Sequence, residues 1–139
     1  MTSGHLEVET KYDVDDGFVV PDLGGLPGVT TVDLPVEHLL EAVYFDTADL
    51  RLLRARVTLR RRTGGPDAGW HLKLPAGTAR RELHAPLGRA VKKPPAALLE
   101  PVTGVVRGET PRPLATLRTR RIVTVLRGPD GQLLQIGVE

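Results

Sequence analysis

Apolar and polar residues alternate with a period of two through most of the chain, in short runs broken by Gly, Pro and Asp. Successive side chains of a strand point to opposite faces, so the pattern predicts antiparallel β structure with helix in the minority. Strands are expected near 5–13, 28–33, 37–46, 56–63, 69–75, 79–86, 118–127 and 131–138. Residues 64–69 (GGPDAG) and 128–131 (GPDG) cannot continue a strand and predict two hairpin turns. Segment 95–107 opens with Pro95, whose missing N–H is harmless in a first helical turn, and stops before Gly108. A short helix is expected there, kinked or divided at Pro101. Asp46 and Thr47 are cap candidates for one helical turn within 47–55, which would tuck Leu50, Leu52 or Leu53 under the sheet. There is no internal repeat, and only 108–113 (GETPRP) looks like a linker, so residues 1–139 are expected to form a single domain.

The polar positions within these strands are charged to an unusual degree. In 5–13, Glu7, Glu9 and Lys11 take one face while Leu6, Val8, Thr10 and Tyr12 take the other. In 56–63, Arg60 and Arg62 share a face with Thr58, opposite Val57 and Leu59. In 69–75, His71 and Lys73 oppose Trp70, Leu72 and Leu74, and in 118–127 Arg118 and Arg120 share the face of Ile122. If these strands are neighbours with one common inner side, it holds two carboxylates and five or six cations. Like charges crowded in a poorly solvated space repel by several kcal/mol, so such a lining calls for an anionic ligand.

Composition bounds the chemistry. Residues 1–49 carry eleven acids and one base, whereas residues 50–139 carry eighteen bases and six acids, so the net charge of +2 hides a strong asymmetry. No apolar run is long enough to cross a bilayer and no leader pattern opens the chain, which predicts a cytoplasmic protein with no membrane partner. With no Cys, and four His scattered without ligand spacing, disulfides, thiolate metal sites and a zinc site are not expected. Arg outnumbers Lys fifteen to four, which GC-rich coding alone would produce. An E-x-E-x-K strand by itself is most often a solvated sheet face. The coincidence of parity across four segments favours a phosphate-rich ligand, gripped by guanidinium forks and lysine point charge. Two glutamates one strand step apart suit a hard divalent cation such as Mg²⁺. Trp70 and Tyr12 are expected to pack, His71 is a weak candidate for a phosphate contact, and His38 and His84 are expected at the surface.

These residues occur in a familiar order: Glu7-Val8-Glu9-Thr10-Lys11, Tyr44-Phe45-Asp46-Thr47, Leu59-Arg60-Arg61-Arg62, Gly69-Trp70-His71-Leu72-Lys73-Leu74-Pro75, Arg81-Glu82 and Arg118-Thr119-Arg120-Arg121. The ordered set covers nearly the whole chain and resembles the CYTH domain of the triphosphate tunnel metalloenzyme superfamily, especially bacterial CYTH proteins often joined to a CHAD domain. The resemblance implies a mainly-β (α+β) fold, an antiparallel β-barrel tunnel with one or two short helices. It also implies binding of inorganic triphosphate, polyphosphate or an organic triphosphate with Mg²⁺ or Mn²⁺, and hydrolysis of the phosphoanhydride. Carried over by position, Glu7 and Glu9 would be metal-site carboxylates and Lys11 a catalytic residue, as a phosphate-binding or activating lysine. Arg60, Arg62, Lys73, Arg118 and Arg120 would grip phosphates, with Arg121 the alternative to Arg120.

Family members continue past the position where this chain ends, with further strands carrying acidic residues and a late lysine. The resemblance therefore predicts the N-terminal two-thirds of the domain and an open, incomplete barrel with exposed edges. A pair of chains could close a barrel, though nothing in the sequence requires a homodimer. A phosphate- or polyphosphate-binding module without turnover is the alternative reading. Nucleic acid ranks lower, because carboxylates on the same face would repel its backbone.

Overall fold

A computed structural model describes residues 3–7 and 9–139, with side chains from residue 9 onward. Among them the strands are β1 (Ser3–Glu7), β2 (Thr31–Val32), β3 (Val36–Asp46), β4 (Thr58–Thr63), β5 (Gly69–Ala76), β6 (Ala79–Ala85), β7 (Arg112–Gly128) and β8 (Gly131–Val138). Short helices α1 (Arg51–Arg54), α2 (Ala96–Leu99) and α3 (Thr103–Val106) complete the set, with a 3₁₀ turn at Glu100–Val102 joining the last two. Pro101 therefore divides the expected helix, as its missing N–H requires.

Two compact units are present. One comprises the residues up to Glu9 together with Leu40–Arg118, and the other Thr10–Leu39 with Thr119–Glu139. In the first, the hydrogen-bonded order is β1-β6-β5-β4-β3 and each pairing whose register is described is antiparallel. The strand path is open rather than a ring, with β1 at one end. A mainly-β, unclosed antiparallel sheet with short helices is what the alternation and the family resemblance called for.

One face of this sheet is apolar. Phe45, Leu59, Trp70, Leu72 and Ala85 project into a core completed by Leu52 of α1, Val57, Leu98 of α2, Val102 and Val106 of α3. Phe45 and Trp70 pack with ring centroids 5.0 Å apart and planes inclined by 51°, within the range of favourable aromatic pairs. Trp70 Nε1 donates to the carbonyl of Leu87 at 3.1 Å, and the Arg61 guanidinium lies 5.9 Å from the indole centroid. Gly69 is required by packing, since a Cβ there would stand 2.7 Å from the carbonyl oxygen of Ala85.

The turn after β3 is organised by Asp46, which is buried. Its Oδ1 accepts from the backbone N–H of Thr47 at 2.7 Å and of Leu52 at 2.9 Å, while Oδ2 accepts from Leu53 N–H at 3.0 Å. Leu52 and Leu53 lie in the first turn of α1, where backbone donors have no partner within the helix. Asp46→Ala should lower stability by about 2 kcal/mol. Urea denaturation is the measurement, and Asp46→Asn, which keeps an amide oxygen as acceptor, should lose less.

In the second unit the later part of β7 pairs with β2 (Val32↔Leu126) and with β8 (Ile122↔Val138), with a register irregularity at Leu126/Arg127. Asp33 and Arg127 form a two-pronged ion pair at 2.8–3.0 Å. Some expected boundaries shift. The strand expected at 5–13 ends at Glu7, that expected at 28–33 shrinks to Thr31–Val32, and β7 begins at Arg112 rather than 118. No helix among the described residues is long and apolar enough to cross a membrane.

Candidate functional site

The second face of the first unit's sheet carries the charge. Antiparallel partners share a face, and the register sets Tyr44 opposite Arg60, Arg60 opposite His71, and His71 opposite His84. One step along, Thr58 stands opposite Lys73 and Lys73 opposite Glu82. The two-residue turn Gly77-Thr78 between β5 and β6 fixes this second pairing, because a tight hairpin admits one register. Seven side chains from four strands thus share one face.

Glu82 lies at the centre. Its side chain is only 5% exposed, with Oε1 2.7 Å from His84 Nε2 and Oε2 3.7 Å from Lys73 Nζ. A buried carboxylate needs such compensation to remain ionised. His71 and His84 stack at a centroid distance of 4.4 Å. His71 Nε2 is 2.8 Å from the carbonyl of Asp67 and must donate to it, which leaves the Nδ1 lone pair unprotonated. Arg60 donates to that lone pair through Nε at 3.3 Å and through a terminal nitrogen at 3.2 Å, and donates to Tyr44 Oη at 3.4 Å.

Burial pushes the His71 imidazole down to about 4, and the charges of Arg60 and His84 act in the same direction. His71 is therefore neutral near pH 7, and its 3.6 Å approach to Glu82 is a contact rather than an ion pair. Arg62, buried, donates to Asp67 Oδ2 at 2.9 Å. Partial burial works against the Asp67 carboxylate, but the Arg62 charge, the neighbouring His71 and local hydrogen bonds hold it below its ordinary range.

Arg60, Arg62 and Lys73 thus occur within one unit, on the sheet face predicted from their alternation. Of the other anticipated site residues, Glu7, Glu9 and Arg118 belong to the same unit as this face, and Lys11 and Arg120 to the second unit. Glu7 occupies the register position opposite Arg80, two residues from His5, which stands opposite Glu82; its side chain is outside the described residues. Glu9 is exposed just beyond β1, and Lys11 is exposed within the second unit. Arg118 is 80% exposed and donates to Glu41 at 2.9 Å. Arg120, in the second unit, is 63% exposed and pairs with Glu37 at 2.7 Å, while Arg121 pairs with Glu139.

Two members of the cluster were not assigned from sequence. Glu82 entered only as part of a motif. His84, expected at the surface, is instead half-buried between Glu82 and His71. The alternation of Glu82 and His84 within 79–86, combined with the turn at Gly77-Thr78, was the signal that places both opposite Lys73 and His71.

A family model described as CYTH domain matches residues 5–136. Two curated proteins of Mycobacterium tuberculosis, one from strain CDC 1551 and one from strain H37Rv, each carry the description uncharacterized. Both are 47% identical to this chain over 131 residues, covering 94% of it and 26% of the relative. The chain therefore spans about a quarter of the length of the curated relatives it matches.

Proposed function

The chain belongs to the CYTH family, and from that premise we propose that its charged sheet face binds triphosphate, as the inorganic ion, a polyphosphate or an organic triphosphate, and hydrolyses the phosphoanhydride. The family is one of triphosphate-binding tunnels and is typically metal-dependent. One observation supports the anion reading above the rest: the groups that Arg60 touches, His71 and Tyr44, are both uncharged. A half-buried guanidinium held by neutral partners keeps its full charge for an incoming phosphate. Arg62 and Lys73 lie on the same face, and Arg118, in the same unit, is a further candidate once it leaves Glu41.

The donor chemistry for the family's hard dication fits Glu7, the last residue of the strand that pairs with the Glu82 strand, and Glu9 just beyond it. When bound, Mg²⁺ or Mn²⁺ polarises the terminal phosphoryl group. The chain's own part is to orient the triphosphate and neutralise its oxygens, with Lys11 as the activating cation. The reading places the protein in the cytoplasm, where such substrates occur.

The test measures phosphate release from inorganic triphosphate with Mg²⁺ or Mn²⁺, against a Glu7→Ala/Glu9→Ala double variant, together with the melting temperature with and without tripolyphosphate. Release that the double variant loses, with a ligand-dependent rise in melting temperature, is the expected result. Equal release by both proteins would sink the hydrolase. A thermal rise without release would leave the phosphate-binding module.

A further inference from the structure

We propose that His71, Glu82 and His84 form a binding site for a borderline transition-metal dication such as Zn²⁺, Co²⁺ or Ni²⁺, separate from the carboxylates Glu7 and Glu9. Their three donor atoms, one per residue, lie within 4.8 Å of one another. The set of two imidazole nitrogens and one carboxylate oxygen suits Zn²⁺ and its neighbours, whereas Mg²⁺ and Ca²⁺ prefer oxygen ligands throughout. Three protein ligands leave a fourth position open, the arrangement of reactive rather than purely structural sites.

Features around the three residues are those that metal ligands need. The Nε2–H of His71 is tied to the Asp67 carbonyl at 2.8 Å, fixing ring and tautomer so that Nδ1 presents its lone pair toward Glu82. Lys73 approaches Oε2 of Glu82 at 3.7 Å, so that Oε1 is the atom shared with the two histidines. His71 and Glu82 are almost wholly buried, and both come from paired strands whose register is fixed. Preorganisation of that kind lowers the cost of assembling the ligands.

Small movements convert the resting cluster into a coordination sphere. Tetrahedral ligands at about 2.1 Å from an ion are roughly 3.4 Å apart. The 3.6 Å separation of His71 Nδ1 from Glu82 Oε1 already nears this. The 2.7 Å hydrogen bond from His84 to Glu82 must open, with the ion replacing its proton, and the partly exposed His84 ring must turn out of its stack. Arg60 must also release Nδ1, to which its hydrogen bonds of 3.2 and 3.3 Å are long. Ion binding would therefore free the guanidinium to face a different ligand, and the guanidinium opposes ion binding until it moves.

The test is titration of the full chain, stripped with chelator, with Co²⁺ while recording its visible d–d absorption. Binding of one equivalent is expected, reversed by Zn²⁺ and unaffected by a hundredfold excess of Mg²⁺. His84→Ala and Glu82→Gln should abolish the spectrum, His38→Ala should preserve it, and melting curves without metal confirm that each variant is folded. Arg60→Ala should bind Co²⁺ about tenfold more tightly, because a nearby cation is removed. Absence of one-to-one binding, displacement by Mg²⁺, survival of the spectrum in folded His84→Ala, or weaker binding by Arg60→Ala would each overturn the site. None of these readouts depends on triphosphate, so they stand apart from the test of hydrolysis.

Discussion

Replacing Arg60 and Lys73 together with glutamine should weaken tripolyphosphate binding about a thousandfold, with the loss persisting at high salt. Each cation would contribute a charge-assisted hydrogen bond worth about 2 kcal/mol, and two such losses approach that factor. Both side chains are largely shielded from solvent, so screening by salt affects them less than it affects surface charges. Glutamine is shorter and uncharged but keeps an amide N–H donor, which matters because removing Lys73 leaves Glu82 with less compensation in a buried position. Arg118→Gln and Arg120→Gln should each cost tenfold or less, since these exposed side chains must first give up Glu41 and Glu37. Calorimetric titration decides the matter. Equal losses from Arg118→Gln and Arg60→Gln would mean that the anion does not rest on the β4–β5 face.

Why that face could be read from sequence follows from hairpin geometry. Between Thr58 and Thr63 alternation puts Arg60 and Arg62 on one side, and between Gly69 and Ala76 it does the same for His71 and Lys73. The observed pairing of the two strands sets Arg60 opposite His71. Trp70, Leu72 and Leu59 bury the other side, and a one-residue slip would expose all three.

Legibility failed where alternation has no burial to enforce it. The pattern continues from Glu7 to Tyr12, yet Glu9 to Tyr12 are exposed and outside any strand. At the start of β7 the opposite occurs: Arg112–Leu117 are all exposed yet extended, so no inward face marked the strand. His84 failed for a different reason. Histidine carries no strong preference for surface or core, and its placement depends on Glu82, whose burial only the strand pairing reveals. Exposed pairs such as Arg120 with Glu37 join residues far apart in sequence and have no local signature.

Acidification should destabilise the metal-free protein in a window set by His71. Its imidazole, ordinarily near 6.5, is pushed down to about 4 in the folded chain, chiefly by burial. Between those values the unfolded chain binds a proton that the folded one refuses. The stabilising contribution is therefore complete above pH 6.5, falls as the pH drops toward 4, and has no more to lose below that. Its total is on the order of 3 kcal/mol, at about 1.4 kcal/mol per pH unit in the steep part. Arg60 and His84 also disfavour the protonated ring, while the Asp67 carbonyl and Glu82 oppose them without prevailing. Urea denaturation in the presence of chelator between pH 7 and 5, where few carboxylates titrate, isolates the imidazoles. His71→Gln should flatten the slope, and an unchanged slope would show that His71 is not the group responsible. Protonating Nδ1 also removes the acceptor that holds Arg60, so the same pH window should loosen the guanidinium before the sheet itself gives way.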